Sequence, residues 1–389
     1  MTVKLGIERL LDGSAEVSNV GRIGLICNQA SVDRNFRHIA DLMYHSKDFE
    51  LITVFGPQHG IRGDVQDNMV ESGHTTDPVT GLPVYSLYSE TREPTEEMLT
   101  DLDMLVFDLQ DIGCRVYTFI YTMVNAMRAC AKHGKRFVVC DRPNPIGGEA
   151  VEGNVLEKGH ESFVGLYPIP MRHGMTVGEL SRLFNEEFGI GCELDVVEME
   201  GWKRELEYED TGCSWVMPSP NMPAVDTAFV FPGTVFFEGT SVSEGRGSTR
   251  PFEQIGAPYI DPERLAKEMK DLGLPGVLFR PNGFLPTFQK FAGRPCGGVF
   301  LHVTDRKDFR PVITGIALLG KILEIYPEEF TWKEPPYEYV YDRNPFDVIA
   351  GTYELRKMLE ERSKVSEIEE VWQPQEREFR ELRHKYLIY

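Results

Sequence analysis

The stretch "DMLVFDLQDIGCRVYTFIYTMVNAMRACAKHGKRFVVCD", residues 103–141, decides the fold class. It begins and ends in short, almost continuously apolar runs, 103–110 and 136–141, the pattern of strands buried on both faces. Between these runs, apolar residues from Val116 to Met127 recur at spacings of three and four, which predicts an amphipathic helix. A buried strand, a helix and a second buried strand predict a parallel βαβ unit.

The same alternation continues on both sides of this stretch. Further strand-like runs occur at 22–28, 49–56, 82–88 and 192–199, and a second helical pattern lies at 175–189. That helix has Thr176 as a candidate N-cap, Glu179 as its capping-box partner and Gly189 as a stop. We therefore predict an α/β domain with a doubly wound, Rossmann-like parallel sheet over residues 1–225.

The first predicted strand lacks the signature of a dinucleotide site. It is followed by "CNQASVDRN", which contains no glycine, so the backbone cannot approach a pyrophosphate closely. No G-x-x-x-x-G-K-[ST] motif occurs either. The sequence predicts no cofactor.

The pattern changes near residue 225, after "PSPNMPAVD". Residues 226–389 predict a smaller α+β domain that closes a cleft against the first. Its predicted elements are a strand at "AFVFPGTVFF" (228–237), helices at 261–273 and 309–327, two or three strands within 276–305, and charged helix towards the C-terminal end.

Composition excludes several classes of partner. The net charge of −20 argues against nucleic acid, and no run of about 18 apolar residues suggests a membrane span. The seven cysteines are scattered, with no CxxC and no HExxH, so we predict no metal site and a reducing compartment. The N-terminal stretch has no apolar leader, which predicts a cytoplasmic location, or a secreted one if a leader was removed. Oligomeric state is left open.

Polar loops follow three of the predicted strands. They are "GPQHGIRGD" (56–64), "DLQDIGCRVYT" (108–118) and "DRPNPIGG" (141–148). Because ligands bind outside the carboxyl ends of such strands, we expect these loops to face one crevice. The alternative for each loop is a structural role as a helix cap or a satisfied turn.

A second candidate binding segment is "FFEGTSVSEGRGSTRPFEQIGAP", Phe236–Pro258. Its glycines would allow close backbone approach to a ligand, and Arg246 and Arg250 would supply forked donors for a carboxylate or phosphate. Since it begins the second domain, it is predicted to face the crevice of the first. The alternative is an interdomain patch of salt bridges.

These segments together resemble a bacterial family, formerly a domain of unknown function, of exo-acting β-N-acetylmuramidases. The motifs that carry the resemblance are "FGPQHGIRGD", "GLPVYSLY", "FDLQDIGCRVYTFIYTM", "DRPNPIGG", "GLYPIPMRHGMTVGEL", "PSPNMP" and "FEGTSVSEGRGSTRPFEQIGAP", in order from about Gly6 to Thr352. The resemblance implies a Rossmann-like catalytic domain, an auxiliary C-terminal domain and a cleft between them. The implied activity is release of N-acetylmuramic acid from the non-reducing end of peptidoglycan fragments.

One position departs from the family pattern. The family's first motif usually reads Gly-Pro-Glu-His-Gly, and the resemblance makes that glutamate the favoured catalytic acid. This chain has Gln58 instead, and a primary amide cannot act as a general acid or as a carboxylate nucleophile.

Another acid must then carry the chemistry, or the activity is impaired. Glycoside hydrolysis needs a proton donor and usually a second carboxylate, unless the substrate's acetamido oxygen attacks. In addition to Gln58, the catalytic candidates are Asp108, Asp111 and Glu244. Each has a structural alternative: Asp111 as a helix cap, Asp108 as a loop hydrogen-bonding group, and Glu244 as an ion-pair partner of Arg246.

The substrate suggests further residues. Muramic acid carries a lactyl ether with a carboxylate, so its pocket needs a cation, for which we predict Arg246 first, then Arg62 and Arg115. The other sugar-binding candidates are His59, Asp64, Glu71, Tyr117, Asn144, Asn221 and Glu238. His59 as a loop-stabilising residue and Tyr117 as a core residue are the alternatives.

Three hypotheses follow. The first is an exo-β-N-acetylmuramidase in cell-wall recycling, acting on a small saccharide that contains N-acetylmuramic acid. The second is an amino-sugar or muropeptide-binding protein that lost hydrolysis through Gln58. The third is a glycosidase of the same family with another N-acetylated sugar as substrate.

Overall fold

The structure is a computed structural model that describes residues 2–15, 17, 21–63, 65–66 and 69–389. Its N-terminal half is an α/β layer structure, and its C-terminal half carries a smaller antiparallel sheet among helices. The helices are α1 (Gly6–Leu11), α2 (Ile39–His45), α3 (Glu96–Leu99), α4 (Phe119–His133), α5 (Val177–Glu186), α6 (Val225–Thr234), α7 (Pro262–Asp271), α8 (Pro311–Ile325), α9 (Pro345–Ala350), α10 (Glu354–Glu360) and α11 (Val365–Arg383), with 3₁₀ turns at Tyr208–Thr211 and Val235–Gly239.

The central sheet has the doubly wound topology. Within the described residues it has seven strands in the order β3-β4-β2-β1-β5-β6-β9, all parallel except the edge strand β3. Without β3, that order reverses direction between β1 and β5, which is the topological switch point of a Rossmann-like sheet. The strands of the chain are β1 (Arg22–Ile26), β2 (Glu50–Gly56), β3 (Thr75–Thr76), β4 (Pro83–Ser86), β5 (Met104–Phe107), β6 (Arg136–Cys140), β7 (Glu152–Val155), β8 (Pro170–Arg172), β9 (Leu194–Val197), β10 (Gln254–Ala257), β11 (Val277–Phe284) and β12 (Cys296–Val303).

The predicted α/β architecture is confirmed. The six predicted strands of the first half are β1, β2, β4, β5, β6 and β9. Strand β5 is buried throughout, and β1 and β6 are buried at every residue but the first. Helix α5 starts at Thr176 as N-cap, with the capping box to Glu179, and ends three residues before Gly189. Helix α4 begins at Phe119, later than predicted, because the backbone of Cys114 and Arg115 pairs with β8 instead.

The predicted strand at 228–237 is wrong. These residues form helix α6 and the following 3₁₀ turn. Every residue from Thr227 to Thr234 is buried, and a helix that is apolar on all sides has no periodicity to separate it from a buried strand. Gly233 and Gly315 bring α6 and α8 together, since a Cβ at Gly233 would lie 1.8 Å from the Pro311 carbonyl oxygen.

The second half contains the predicted helices α7 and α8 and two strands within 276–305, and it also contains a strand, β10, that was not predicted. Strand β12 pairs antiparallel with β10 and β11. The predicted division at residue 225 stays a prediction. One buried apolar cluster extends from Ile26 in the first sheet to Tyr386 beyond α11, so the two halves share a core.

Two buried arginines join the halves. The Arg115 guanidinium donates to the carbonyls of Asn154 and Ile169 and, in the other half, to those of Ile349 and Ala350. In the reverse direction, the guanidinium of Arg383 in α11 donates to four carbonyls of the first half, those of Gly148, Glu149, His173 and Gly174. No helix in the described parts of the chain is both long and apolar enough to cross a membrane.

Candidate active site

A cavity lies where the carboxyl edge of the sheet meets the second half. The loops after β2 and β5 line one side, and the segment after α6 together with residues 337–338 lines the other. Its position at the carboxyl edge of the sheet is where α/β sheets bind ligands. The lining residues are Gln58, His59, Val116, Tyr117, Thr118, Phe119, Val164, Ser219, Asn221, Met222, Phe231, Val235, Glu238, Arg246, Phe252, Tyr337 and Glu338.

Gln58 bridges the two halves across this cavity. Its Oε1 accepts a 2.6 Å hydrogen bond from the Thr118 hydroxyl, in the segment before α4. Its Nε2 donates to Oε1 of Glu338 at 3.4 Å. The amide therefore orients a carboxyl group of the second half.

His59 follows at a turn with φ of +72°. Its Nδ1 lies 2.7 Å from the Val65 carbonyl, so Nδ1 carries the proton and Nε2 is the acceptor. Burial, with a smaller contribution from the charge of Arg246, lowers the pKa of His59 to about 4. At neutral pH the ring is uncharged and can accept a hydrogen bond from a sugar hydroxyl.

Glu238 is held as a carboxylate. Its Oε1 accepts from Arg246 Nη2 at 2.6 Å and from Nε at 3.1 Å, and its Oε2 accepts from the Tyr337 hydroxyl at 2.6 Å. Burial alone would raise its pKa, but the charge of Arg246 and these hydrogen bonds outweigh it, and the pKa is lowered.

Glu244 lies behind Arg246 rather than in the cavity lining. It accepts from Lys290 Nζ at 2.8 Å and sits 3.6 Å from Arg246 Nε. Lys290 also donates to the carbonyls of Phe237 and Val242. The segment that sequence analysis singled out is thus a folded loop with its own ion pairs, which present Glu238 and Arg246 to the cavity.

Glu338 is the residue that the sequence reasoning missed. It is buried, its Oε2 accepts from the Tyr88 hydroxyl at 2.8 Å, and its Oε1 faces Gln58. Burial raises its pKa, and the charge of Glu238 adds to this effect, while the hydrogen bonds from Tyr88 and Gln58 oppose it. A buried carboxyl group with a raised pKa beside one with a lowered pKa is the usual environment of an acid–base pair.

The backbone around Glu338 is strained. Tyr337 and Val340 exchange backbone hydrogen bonds of 3.0 and 2.9 Å, which closes a two-residue turn. Its central residues, Glu338 and Tyr339, have φ of +44° and +66°, in a turn that usually takes Asn-Gly. Left-handed backbone costs about 1–2 kcal/mol for each such residue, and strain of this kind concentrates at functional sites. The acid among tyrosines in "PPYEYVY" was the signal in the sequence.

Several predicted residues lie elsewhere. Both carboxyl oxygens of Asp108 accept from Arg142 at 2.7 Å, and Asp108 is fully buried beneath the sheet edge. Asp111 accepts from the Gly113 amide at 2.7 Å and lies 3.5 Å from His173. Neither carboxyl lines the cavity, so we do not assign either a catalytic role.

Arg115 and Asn144 are structural as well. The Arg115 guanidinium donates to four backbone carbonyls. The Asn144 side-chain amide donates to the Met175 carbonyl and accepts from the Ile146 backbone amide. Neither reaches the cavity. Arg115, predicted as a cation of the pocket, and Asn144, predicted as a sugar ligand, therefore stabilise the fold.

The remaining candidates divide. Tyr117 and Asn221 line the cavity, and Asn221 also donates to the Gln66 carbonyl. Arg62 is 61% exposed and pairs loosely with Asp77, and Glu71 is 49% exposed. Asp64 lies outside the described residues.

The described residues contain no group of three or more His, Cys, Asp and Glu that could hold a metal ion. The chemistry that the cavity offers is that of two carboxyl groups with different protonation preferences, a neutral imidazole and amide donors. This set suits acid–base cleavage of a polar substrate.

Comparison with known proteins connects this site to a family. Models described as exo-beta-N-acetylmuramidase NamZ match the chain twice, the N-terminal model over residues 23–226 and the C-terminal model over residues 229–389. The chain is 46% identical over 387 residues to the peptidoglycan beta-N-acetylmuramidase NamZ of Bacillus subtilis strain 168, covering 100% of this chain and 91% of that protein.

Solved structures agree. A DUF1343 family protein from Bacteroides fragilis NCTC 9343 matches with a TM-score of 0.90 at 37% identity, over 100% of this chain and 99% of that one. A second DUF1343 protein from the same organism matches with a TM-score of 0.77 at 28% identity, with the same coverage. The fold, the motifs around the cavity and the full-length matches lead to one conclusion: this chain belongs to the exo-β-N-acetylmuramidase NamZ family.

Proposed function

We propose that this chain, a glycoside hydrolase, releases N-acetylmuramic acid from the non-reducing end of peptidoglycan fragments, and that the interdomain cavity is where it does so. The relative from Bacillus subtilis, a peptidoglycan beta-N-acetylmuramidase, matches along the whole of this chain. The cavity is lined from both halves of the chain at the carboxyl edge of the sheet, a position that suits one terminal sugar unit better than the middle of a long strand.

Glu338 is the proposed proton donor. The observation that carries this assignment is the contact from Gln58 Nε2 to Glu338 Oε1, at the position where the family motif usually has a glutamate. The raised pKa keeps the Glu338 carboxyl protonated at a higher pH than an exposed glutamate would allow. It can then protonate the glycosidic oxygen as the bond to the sugar breaks.

Glu238 is the proposed second carboxylate. Its lowered pKa keeps it ionised, and Arg246 and Tyr337 fix both of its oxygens. A fixed carboxylate in the same cavity can stabilise positive charge at the anomeric carbon or orient the substrate's acetamido group. His59, Tyr117 and Asn221 are the proposed ligands of the sugar hydroxyls.

The binding-protein hypothesis rests on Gln58 alone, and no other observation favours it. The amide at this position does not leave the cavity without an acid, because Glu338 is in contact with it. The third hypothesis, another N-acetylated sugar as substrate, differs from the leading one in a single group. N-acetylmuramic acid carries a lactyl carboxylate that the other N-acetylated sugars lack.

The test uses leaving groups of different quality. Glu338→Gln should lose roughly 100-fold or more in kcat on the disaccharide of N-acetylmuramic acid and N-acetylglucosamine, since acid catalysis contributes about 10²–10⁴. On 2,4-dinitrophenyl N-acetyl-β-muraminide the same variant should keep most of its activity, because dinitrophenolate leaves without a proton. Glu238→Gln should lose activity on both substrates.

Asp111→Asn is the matched control, since it changes a buried carboxyl outside the cavity. Equal losses on both substrates by Glu338→Gln would exclude it as the proton donor. Tight binding of the disaccharide by the parent without any turnover would favour the binding-protein hypothesis instead.

A further inference from the structure

Arg92 is held among aromatic rings close to the proposed proton donor. Its guanidinium carbon lies 3.9 Å from the ring centroid of Tyr88, 4.8 Å from that of Tyr339 and 5.6 Å from that of Phe163. The Tyr88 hydroxyl donates to Glu338, and Phe163 and Tyr339 are the chain neighbours of the lining residues Val164 and Glu338. Arg92 is not itself a lining residue, but a single ring, that of Tyr88, lies between its guanidinium and Glu338.

The guanidinium still has donors for a ligand. Nη1 donates to the Ser89 carbonyl, and the nearest carboxyl oxygen, on Glu71, is 3.8 Å from Nη2, beyond hydrogen-bond distance. Within the described chain, Nε and Nη2 make no hydrogen bond, although the side chain is only 22% exposed. A flat guanidinium, fixed by stacking and with two parallel donors available, is suited to a carboxylate.

Two other cations near the cavity, Arg246 and Lys290, have carboxylate partners within hydrogen-bond distance, whereas the carboxylate nearest to Arg92 is 3.8 Å away. Arg246 contacts both Glu238 and Glu244, and Lys290 contacts Glu244 and two carbonyls. His59, with a pKa of about 4, is uncharged at neutral pH. Arg246 was the first choice from sequence, but its two carboxylate partners leave it little attraction for a third anion.

We infer that Arg92 binds the lactyl carboxylate of the substrate and so selects N-acetylmuramic acid whose lactyl group is a free acid. This inference rests on the proposed function. It also answers how a chain with a net charge of −20 binds an anionic sugar. The attraction is local, since a stacked guanidinium acts over a few ångströms while the long-range field is screened.

The experiment compares two forms of one disaccharide, N-acetylmuramic acid linked to N-acetylglucosamine. One form has the free lactyl carboxylate, and the other has it as a methylamide. The parent should prefer the free acid through KM. Arg92→Gln should raise KM for the free acid roughly 10- to 100-fold, the effect of losing hydrogen bonds to a charged group, with little change in kcat or in either constant for the amide.

Arg128→Gln is the matched control. Arg128 also lies over a tyrosine ring, 5.3 Å from the Tyr167 centroid, and donates to its hydroxyl, but it is on the exposed side of α4, outside the cavity. Its substitution should leave the preference unchanged. Arg92→Lys should retain part of the preference for the free acid that Arg92→Gln loses, because lysine keeps the positive charge but lacks the two parallel guanidinium donors.

Two results would overturn the inference. One is an Arg92→Gln variant that keeps the parent's preference for the free acid, and the other is an equal loss on both forms. If the parent cleaves neither form, the proposed function fails, but calorimetry with free N-acetylmuramic acid and its methylamide still decides the role of Arg92. Discrimination by the parent that Arg92→Gln abolishes supports it, and equal affinities in both proteins contradict it.

Discussion

At the scale of single residues, the exchange of an acid for Gln58 changes which carboxyl group is free to titrate. Gln58 accepts from Thr118 and donates to Glu338, so it occupies the place of a carboxyl without adding a charge. A glutamate there would face Glu338 directly. Two carboxyl groups at such a distance share one proton, and the pKa of one of them rises strongly.

Gln58→Glu tests this relation. The added carboxylate should raise the pKa of Glu338, so the alkaline limb of kcat/KM should move to higher pH by about one unit or more. The measurement is the pH profile of disaccharide cleavage for parent and variant. Gln375→Glu adds the same charge on α11, where the parent glutamine accepts from the Val155 amide, and should not move the limb. An unmoved limb in Gln58→Glu would mean that Glu338 is not the titrating acid.

The parent's own pH profile follows from the two carboxyl groups. Activity should fall on the alkaline side as Glu338, with its raised pKa, loses its proton. It should fall on the acid side only at low pH, when Glu238, with its lowered pKa, is protonated. On the dinitrophenyl glycoside, which needs no proton donor, the parent should lack the alkaline limb while the acid limb stays. Persistence of the alkaline limb would contradict the assignment.

Sequence reasoning found part of this site. His59, Tyr117, Asn221, Glu238 and Arg246 were predicted as site residues and all line the cavity; their roles stay predictions. They follow strands or lie in the glycine-rich loop, so local pattern places them. Glu338 could not be placed in this way, because its approach to Gln58 spans 280 residues and depends on how the two halves pack.

At the scale of elements, the loop after α6 depends on glycine at two points. Gly245 and Gly247 have φ of +78° and +80°. A Cβ at Gly247 would lie 2.5 Å from the Phe288 carbonyl oxygen, so the loop packs backbone against backbone on residues 287–288. This close packing fixes Arg246, the residue between the two glycines, against Glu238.

Gly247→Ala should therefore destabilise the protein and displace Arg246. Gly273→Ala is the control, because Gly273 has a similar φ of +64° but no atom within 4 Å of its Cβ position. The control should cost only the left-handed strain of about 1–2 kcal/mol. Gly247→Ala should cost about 2 kcal/mol more, as overpacking does, and raise KM. Urea unfolding and disaccharide kinetics measure both effects, and equal costs in the two variants would show that the loop relaxes freely.

Helices and strands could be predicted where the local sequence carries a clear signal, such as an apolar run of strand length or a capping box. The strands of the parallel sheet were read from short apolar runs, and α5 from its capping box. Helix α6 was not, because its residues are buried on every side against α8 and neither period is visible. The close contact of Gly233 with Gly315, through which α6 packs on α8, is a tertiary contact that the local sequence does not show.

At the scale of the whole molecule, Glu152 links the halves through a group that is costly to ionise. Its Oε1 accepts at 2.8 Å from the Ile313 amide, at the first turn of α8, and burial raises its pKa to about 7. A raised folded-state pKa gives stability that is fully present below the unfolded pKa and is lost as pH rises towards 7.

Glu152→Gln keeps the acceptor and removes the ionisation. Its stability should equal the parent's near pH 4.5 and exceed it increasingly up to pH 8, by at most about 3 kcal/mol. Thermal unfolding at several pH values measures the difference. Glu354→Gln, on the exposed first turn of α10, should show no such trend. A difference between Glu152→Gln and the parent that is independent of pH would contradict the assignment.

The hydrogen bonds of Arg383 to the first half have a consequence for protein synthesis. Arg383 satisfies carbonyls at residues 148–174, and it follows them in the chain by about 200 residues. At about 5–20 residues per second, translation takes roughly 10–40 s to cover that distance. During this interval the nascent sheet has been made, but these carbonyls must bind water instead. The first half is therefore expected to reach its final packing only when α11 leaves the ribosome and docks.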